Sequence, residues 1–484
     1  MSITEQLVPA RPELLSVDDA TQLGKDTIAE IYRRHISPGQ WNAFGLLGFD
    51  RIAIDHADGV HYVDRSGRRI LDFFGGFGAM ALGHNHPRLL EVRRRFQEQQ
   101  RHELGMTFPS QYVAALSRNL ATIAPDDVDR VMLYCTGSEA VEAAIKLAER
   151  AQGPRRAGVA HARNSFHGKT IGALSVTDSE FYRGRFEVLP RRHPVAFGDA
   201  DALERLLHRD RSIGVLILET VQGGAGIVLP PPGYLQRVRE LCDRYGVLWI
   251  ADEVQCGVGR TGRFFAFEHA GVTPDVITLA KALGGGKTAI SAVLARSEIH
   301  DRAYGGTRSA LVHGPATFSG MGEACCTAIE ALHVLHDENL LANAEEQGEY
   351  LLGALQWLHH RHPQLIRAVR GSGLMAAIEF ADLSNCLTGV TGRVAGMLDR
   401  PLRGSLAMLT GSQLLSEFGV LVAFTDYNRN VVRLEPPLTI GSPHIDELVE
   451  ALDALLSRGL RGLATGYLRR RYRNQPATAC PNVE

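Results

Sequence analysis

The sequence predicts an α/β fold, with a large domain built on a mostly parallel sheet flanked by helices and a smaller α+β domain. Between about residues 130 and 300, short apolar runs alternate with stretches of helical spacing, which is typical of parallel strands connected by helices. Beyond about residue 325, helices and strands are segregated instead. The 484 residues are 45% hydrophobic and 22% charged, which excludes a disordered, collagen-like or coiled-coil chain.

The predicted elements follow in order along the chain. Residues 1–40 are polar and helix-prone, and Asp58 and Gly59 form a hairpin-type turn between two alternating stretches. The nearly all-apolar run at 215–218 is typical of a strand buried on both faces. The predicted strands cover residues 51–55, 60–64, 70–74, 131–135, 215–218, 247–251, 276–280, 374–380 and 431–434. One predicted helix follows Glu139, and the others cover residues 233–245, 324–335, 340–360 and 444–459.

These elements predict four parts of the chain. Residues 1–75 are an N-terminal segment that contributes to the small domain, and residues 76–330 form the large domain. Residues 331–460 form the C-terminal small domain, and residues 461–484 are a tail. Within the small domain, residues 381–405 are polar and glycine-bearing, which predicts an insertion loop.

Charge and cysteine content exclude several classes of protein. The net charge is −2, so nothing draws the whole molecule to nucleic acid or membrane. No apolar run reaches the ~18 residues of a membrane span, and the first residues lack a secretory pattern. The seven cysteines form no C-x-x-C pair, which argues against a zinc site or a disulfide framework and favours a cytoplasmic protein with reduced thiols.

The chemically active side chains follow the predicted strands of the large domain. Gly137 and Ser138 follow one strand, and Glu219, Asp252 and Lys281 each stand at the end of another. Functional groups of open α/β sheets cluster at the carboxyl ends of strands, so these residues predict one site. Free N–H groups where a strand hands over to a helix favour a phosphate, although such a junction is often only a helix cap.

Three other motifs are rejected. Gly284-Gly285-Gly286-Lys287-Thr288 lacks the earlier glycine of a nucleotide P-loop, because Lys281 stands there. Residues 76–78 and 371–373 have the G-x-G pattern without a convincing strand–helix–strand context, so dinucleotide binding is not predicted. The pair of histidines at 84 and 86 has no further ligand at metal spacing, which leaves no metal site.

A run of motifs around the predicted strand ends identifies a family. They are Ile-Ala-Asp-Glu-Val-Gln at 250–255, Gly-Arg-Thr-Gly at 259–262, Pro-Asp-Val at 274–276 and Leu-Ala-Lys-Ala-Leu-Gly-Gly-Gly at 279–286. Together they resemble the class III aminotransferases, pyridoxal 5'-phosphate enzymes of fold type I that include ornithine and putrescine aminotransferases. The likeness covers about residues 45–455, most of the chain.

The resemblance implies two catalytic residues. Lys281 would form the Schiff base with the cofactor aldehyde and carry the proton of the reaction. Only lysine supplies a primary amine for this chemistry, and it must reach its neutral form to react. Asp252 would pair with the pyridine nitrogen and keep the ring able to accept electrons.

The resemblance also implies how the rest of the cofactor is held. Phe166 would stack on one face of the ring and Val254 would pack on the other, although either residue alone reads as ordinary core. Gln255 would hydrogen-bond the ring oxygen, and Gly137 and Ser138 fit the phosphate. Glu219 is the retained first acid of the family's E-P-x-Q-G-E-G segment and is assigned to the cofactor site.

Thr317 matches the threonine that, in this family, binds the phosphate of the neighbouring subunit. The resemblance therefore implies a homodimer with two shared sites. The segment departs from the family's H-G-S-T-F by one extra residue, since it reads His-Gly-Pro-Ala-Thr at 313–317.

Three residues are assigned to the substrate. Arg433 matches the family's carboxylate-binding arginine, whose guanidinium can hold a carboxylate through two parallel bonds, with a structural salt bridge as the alternative. Gly224 replaces the second acid of the family segment, which in relatives covers this arginine. We therefore hypothesise that Arg433 stands ready for an α-carboxylate and, if buried, has another partner or a water-open pocket. Phe77 would make one wall apolar, and Lys287 would bind a second negative group or be a solvated loop lysine.

The resemblance implies an aminotransferase that moves an amino group from an amino acid or amine donor to a keto or aldehyde acceptor. One alternative is a lyase or carbon–carbon bond-forming enzyme on the same fold, which would decarboxylate an α-amino acid such as S-adenosylmethionine or carry out β/γ-elimination and addition on it. Another is a non-catalytic cofactor-binding protein, which the joint presence of Lys281 and Asp252 disfavours.

Overall fold

A computed structural model of the chain describes residues 14–105, 108–313, 316–382 and 405–473. The chain consists of two compact units, Met1–Ile54 and Asp55–Glu484. The greater part of the predicted insertion loop, residues 383–404, lies outside the described residues, as does the end of the predicted tail from residue 474.

The first unit is helical in its described part. Its helices are Val17–Gln22, Lys25–Ile31, the π-helical turn Tyr32–Ile36, Pro38–Leu47 and the 3-10 turn Phe49–Arg51. Ser37 caps the longest of them, since its Oγ accepts the Gln40 N–H at 3.2 Å and Pro38 follows at the first helical position. The helix ends at Gly48, whose φ is +81°. Because the 3-10 turn follows directly, the strand predicted at 51–55 begins only at Ile54.

The strands of the chain number fifteen in the described residues. They are β1 (Ile54–Asp58), β2 (His61–Asp64), β3 (Arg69–Asp72), β4 (Arg130–Tyr134), β5 (Gly158–Ala162), β6 (Arg192–Val195), β7 (Ile213–Glu219), β8 (Leu248–Asp252), β9 (Val276–Leu279), β10 (Ser291–Ala295), β11 (Ile366–Ser372), β12 (Met375–Phe380), β13 (Val420–Leu421), β14 (Ala423–Phe424) and β15 (Val431–Leu434).

The large sheet has seven strands in the order β4-β10-β9-β8-β7-β5-β6. Only β10 runs antiparallel to its neighbours, so the prediction of a mostly parallel sheet is confirmed. Every residue of β7 and β9 is buried, as expected for strands that are covered on both faces by helices. Parallel strands carry their carboxyl ends to one edge, and this places the ends of β7, β8 and β9 side by side.

Helices surround the large sheet and continue into the C-terminal part. They are Pro87–Glu98, Gln111–Ile123, Gly137–Gln152, Ile171–Val176, Glu180–Arg183, Ala200–Arg209, Tyr234–Tyr245, Ser297–Tyr304, Thr307–His313, Gly322–Asp337, Leu340–Arg361, Ser405–Gln413, Ser442–Leu456 and Gly459–Arg473. The last helix covers part of the predicted tail, to which the sequence assigned no structure. No described helix is both long and apolar enough to cross a membrane.

Two four-stranded sheets complete the second unit. One has the order β1-β2-β3-β13 and joins strands from near the N-terminus to a strand beyond residue 400. The other has the order β11-β12-β15-β14 and is antiparallel, with Ala377 of β12 opposite Arg433 of β15. This mixture of sheets and helices matches the predicted α+β part built from both ends of the chain.

Candidate active site

A cavity of about 530 Å³ lies at the carboxyl ends of β7, β8 and β9. Nine of the twelve predicted site residues line it: Gly137, Ser138, Phe166, Glu219, Asp252, Val254, Gln255, Lys281 and Lys287. Phe77, Arg433 and Thr317 are outside this lining. The parallel sheet brings the nine together because their segments leave neighbouring strands at the same edge.

Lys281 lies two residues beyond β9, at the start of a 3-10 turn, Lys281–Gly284. Its φ is +44°, a left-handed conformation that costs energy for a residue with a Cβ and that clusters at functional sites. Burial lowers the pKa of the Lys281 amine, while the nearby carboxylates of Glu435 and Asp252 act in the opposite direction. The net shift favours the neutral amine that a nucleophilic lysine needs.

Asp252 ends β8 as a buried, fully hydrogen-bonded carboxylate with 3% of its surface exposed. Its Oδ1 accepts the Thr278 hydroxyl at 3.0 Å and the Val254 N–H at 3.1 Å. Its Oδ2 lies 2.6 Å from His167 Nδ1. Such a network holds the charge in place at the cavity wall, where an unpaired carboxylate would be costly to bury.

His167 is a site residue that the sequence analysis did not single out. It lines the cavity next to Phe166, and its Nδ1 approaches Asp252 across 85 positions of sequence. The backbone N–H of His167 donates to Thr177 Oγ1 at 2.9 Å, and this bond fixes the backbone that carries the ring. The signal was present in the sequence, since His167 directly follows Phe166, but its partner could be identified only in the folded chain.

The N-terminus of helix Gly137–Gln152 also lines the cavity. Thr136 and Glu139 form a capping box in which Thr136 Oγ1 accepts the Glu139 N–H at 3.3 Å. The first helical bond is donated by Ala140 to the Thr136 carbonyl. The N–H groups of Gly137 and Ser138 precede it and are thereby available, with the helix dipole, to an anion in the cavity.

Apolar and acidic groups complete the lining of the cavity. The Phe166 N–H donates to Glu219 Oε1 at 2.9 Å, so the acid at the end of β7 positions the aromatic residue. Burial raises the pKa of Glu219 to about 7, with the Asp252 charge adding to the effect and His167 opposing it. Val254 packs closely on Gly137, where an added Cβ would lie 3.0 Å from its side chain. A side chain at 137 would therefore crowd the cavity.

Gln255 connects the cavity to a second group of residues. Its Nε2 donates to the Phe77 carbonyl at 3.2 Å and to Glu435 Oε1. Phe77 belongs to the turn Gly75–Gly78, in which all four residues have positive φ. Gly75 is required there, because a Cβ would collide with the Glu435 carbonyl oxygen. The turn therefore packs tightly against the segment that follows β15.

Arg433 is buried beside this turn, with 4% of its surface exposed. Its guanidinium donates to the Gly223 carbonyl at 3.2 Å and to the Phe424 carbonyl at 3.1 Å, and it lies 3.7 Å from Glu435 Oε2. The Phe77 ring covers it, with 4.7 Å between the guanidinium carbon and the ring centroid. The expectation that a buried Arg433 has another partner is confirmed. The hypothesis that Arg433 stands ready for an α-carboxylate stays a prediction.

Lys287 and Thr317 lie apart from the centre of the site. Lys287 lines the cavity wall, and its amine donates to Asn85 Oδ1. Thr317 is exposed in a turn whose next residue, Phe318, accepts from Cys135 Sγ at 3.3 Å. Cys135 itself lines the cavity, so the turn borders its rim.

Comparison with known proteins identifies matches that cover most of the chain. The profile of the aminotransferase class-III family matches residues 48–456. An ornithine aminotransferase structure from Toxoplasma gondii is 29% identical with a TM-score of 0.76, covering 94% of this chain and 98% of that one. A transaminase from the marine bacterium Virgibacillus is 25% identical with a TM-score of 0.79, covering 91% and 99%. An acetylornithine aminotransferase from Elizabethkingia anophelis is 27% identical with a TM-score of 0.70, covering 89% and 98%.

Proposed function

Because the chain belongs to the class-III aminotransferases, which are pyridoxal-phosphate-dependent transaminases, we propose that amino transfer takes place in the cavity around Lys281. The observation that carries this proposal is that three groups needed for the chemistry lie together. An amine, a buried carboxylate and the N-terminus of a sixteen-residue helix all line one cavity of about 530 Å³. The family match favours amino transfer over the lyase or bond-forming alternative and over a protein without activity.

The residues of the cavity fit pyridoxal 5'-phosphate. Asp252 offers a buried negative charge for a pyridinium nitrogen, and the Gly137 and Ser138 N–H groups offer donors for a phosphate. Phe166 and Val254 are the apolar walls between them, and Glu219 holds the Phe166 backbone. When bound, the cofactor supplies an electron sink for the carbanion formed at the carbon that carries the amino group.

The chain's own groups then have separate tasks in this proposal. Lys281 Nζ would hold the cofactor and, as a neutral amine, would accept the proton from the donor carbon. Asp252 is held in position by the hydrogen bonds that it accepts from Thr278 and Val254 and by the contact of its Oδ2 with His167 Nδ1. Gln255, whose amide bridges Phe77 and Glu435, connects the cofactor site to Arg433. Lys287 faces the cavity as a cation for a second negative group on a substrate.

The test is a half-reaction. The holoenzyme is titrated with single α-amino acids or diamines in the absence of an acceptor, and its visible absorbance and the oxo product are measured together. A true donor is expected to leave one amino group per site and to release one equivalent of oxo product. Continued turnover without an acceptor, or carbon dioxide as the product, would contradict amino transfer.

We also propose that the protein is a homodimer whose sites are completed by Thr317 of the neighbouring subunit. Exposed apolar side chains support this, since Phe108, Val312 and Phe318 are 68%, 59% and 60% exposed. Gly105 and Gly320 bring two of these segments together, as a Cβ on Gly105 would lie 3.7 Å from the Gly320 oxygen. An apolar surface of this kind at a cavity rim is typical of a protein–protein contact.

A mixing experiment tests the shared site directly. Lys281→Ala and Thr317→Arg are each expected to be inactive alone, the first for lack of the amine and the second because a bulky side chain occupies the phosphate end. If Thr317 acts across the interface, a mixed dimer contains one site with both natural residues. Half of the randomly reassembled dimers are mixed, and each mixed dimer has one intact site out of two. The mixture should therefore regain about a quarter of the wild-type activity.

The control for this experiment is a mixture of Lys281→Ala with Asp252→Asn. Both of these residues line the same cavity of one chain, so no mixed dimer contains an intact site. Recovery in the control, or no recovery in the test mixture despite mixed dimers seen by mass spectrometry, would show that Thr317 does not serve the partner.

Two further expectations are part of the proposal. The large domain covers residues 76–330, and the C-terminal small domain covers residues 331–460. A cytoplasmic location is supported by the free cysteines of the described chain.

A further inference from the structure

A second cavity, of about 810 Å³, is lined in part by the same segments of the chain as the cavity around Lys281. Phe166 and Val221 line the cavity around Lys281, whereas their near neighbours Arg163 and Gln222 line the second one. The two segments are bonded to each other, because Gln222 Nε2 donates to the Arg163 carbonyl at 2.9 Å. The two cavities therefore share these segments as a common wall.

The loop of residues 425–430, between β14 and β15, forms another side of the second cavity. Tyr427 of this loop donates its hydroxyl to the Ser165 carbonyl at 2.7 Å. Gly224 lies between the loop and the common wall, since an added Cβ there would lie 3.1 Å from Phe166 and 3.3 Å from Tyr427. A molecule that binds between the loop and the wall thus acts on the support of Phe166.

Charges of both signs line the second cavity, and some of them have partners. The charged residues are three arginines and three acids: Arg163, Arg367, Arg429, Glu379, Asp382 and Asp426. Glu379 pairs with Arg370 at 2.7 Å and with Arg367 at 3.4 Å. Asp382 accepts a hydrogen bond from the Asn430 side chain. These contacts hold two of the acids in place within the protein.

The three remaining charged side chains, of Arg163, Arg429 and Asp426, are different. Among the described residues, none of them forms a hydrogen bond or an ion pair. Opposite charges therefore line one space without closing on each other. A guanidinium binds a carboxylate through two parallel hydrogen bonds, and a carboxylate accepts from an ammonium group. The complementary ligand carries two carboxylates and one ammonium group.

We propose that the second cavity is a regulatory site for an acidic α-amino acid. Its two carboxylates bind Arg163 and Arg429, and its ammonium group binds Asp426. None of these three residues lines the cavity around Lys281, so the ligand is held apart from the reacting groups. The bound ligand bridges the 425–430 loop to the segment that carries Phe166, and it thereby stabilises the wall against which the cofactor would pack. Binding itself is independent of the proposed function, whereas the effect on the cofactor rests on it.

Calorimetry with L-aspartate tests the binding. The holoenzyme is first reduced with sodium borohydride, which fixes the cofactor to Lys281 and prevents turnover of the amino acid. Asparagine has nearly the same shape as aspartate but lacks one carboxylate charge, and succinate lacks the ammonium group. Each is expected to bind about tenfold more weakly than aspartate, the scale of one hydrogen bond to a charged group.

Substitutions separate a binding role from a structural one. Arg163→Met and Arg429→Met should each weaken aspartate binding by about tenfold, since each removes one bidentate contact. Asp426→Asn should weaken aspartate binding similarly but leave the succinate dissociation constant unchanged, because succinate has no ammonium group. All three residues are exposed, so these variants keep the core intact. The matched control is Arg205→Met, since Arg205 is an arginine with 71% of its side chain exposed that lines neither cavity.

The regulatory role is tested by comparing the reduced holoenzyme with the apoenzyme. Coupling between two sites is reciprocal, so a cofactor held at Lys281 should tighten aspartate binding in the second cavity. The expected gain is about fivefold or more, within the usual range of coupling between sites. In Arg163→Met this gain should disappear, which separates it from any binding of aspartate in the empty cavity around Lys281.

The outcomes are distinct. No aspartate binding to the reduced holoenzyme, or undiminished binding in both Arg163→Met and Arg429→Met, overturns the site. Equal dissociation constants for aspartate, asparagine and succinate overturn the assigned ligand, and equal constants for holoenzyme and apoenzyme overturn the regulatory role. A holoenzyme that transfers no amino group from any donor in the half-reaction refutes the proposed function, while aspartate binding in the second cavity would still be observed.

Discussion

Lys281→Ala is expected to lower the rate of amino transfer by about five orders of magnitude or more, the scale observed when the nucleophile of a covalent mechanism is removed. Two properties of Lys281 depend on its position. Burial lowers the pKa of its amine, and its left-handed backbone, with φ at +44°, directs it from the end of β9 into the cavity. Among the described residues, the other lysine that lines the cavity is Lys287, which stands six residues further along the chain and donates to Asn85.

The measurement is single-turnover kinetics with a donor identified in the half-reaction. Thermal unfolding and the visible absorbance of the bound cofactor should be recorded on the same sample, to show that the variant folds and still holds the cofactor without the covalent bond. A small primary amine such as ethylamine should restore part of the rate by replacing the proton acceptor. Lys146→Ala is the matched control, since Lys146 is exposed on helix Gly137–Gln152 and should leave the rate unchanged. A residual rate within a hundredfold of wild type would remove Lys281 from the mechanism.

Asp252→Asn is expected to lower kcat by about 10³- to 10⁴-fold, as when a buried carboxylate that fixes the protonation of a ring loses its charge. The substitution keeps the shape, and the asparagine oxygen can still accept from Thr278 and Val254. The new amide group, however, faces His167 Nδ1 at the position of an oxygen that lies 2.6 Å from it. His167 must then present a lone pair there, so the charge and the local proton arrangement both change.

Glu253→Gln is the matched control for Asp252. Glu253 is the next residue and is equally buried, but it accepts from Thr220 and from the Ala266 and Phe267 N–H groups, and it does not line the cavity. Burial raises its pKa to about 7, so a neutral side chain resembles the form already present near neutral pH. The kcat of Glu253→Gln should stay within about tenfold of wild type, or about 1.4 kcal/mol of activation free energy, because Glu253 lies outside the cavity. Equal losses in both variants would show that Asp252 acts only through folding.

His167 offers an internal check on this account. Its ring contacts Asp252, not the amine, so its effect on catalysis should disappear once Asp252 is gone. A double-mutant cycle with Asp252→Asn and His167→Asn should therefore be non-additive, as expected for two groups of one hydrogen-bond network. Additive losses would place His167 in a separate role at the cavity wall.

Much of this protein follows from local sequence. The family, the cofactor, Lys281 and Asp252 are recognisable because a strand end followed by a reactive residue is a short contiguous pattern, and the seven-stranded sheet follows from the alternation of buried runs and helices. The errors at element ends have local causes. The strand predicted at 51–55 begins at Ile54 because a 3-10 turn follows Gly48, and helix Gly459–Arg473 stands in a tail where the sequence suggested no structure.

Only the tertiary structure decided which distant groups meet. The sequence identified Arg433, Phe77 and Gln255 separately. Gln255 and Arg433 both approach Glu435, and Phe77 contacts both of them, because the turn Gly75–Gly78 packs against the segment after β15. His167 and Asp252 meet because β8 ends beside the loop that carries Phe166. Sequence patterns report the chemistry of a residue and the period of its own element. The pairing of charges across elements depends on packing in three dimensions, which no local sequence pattern reports.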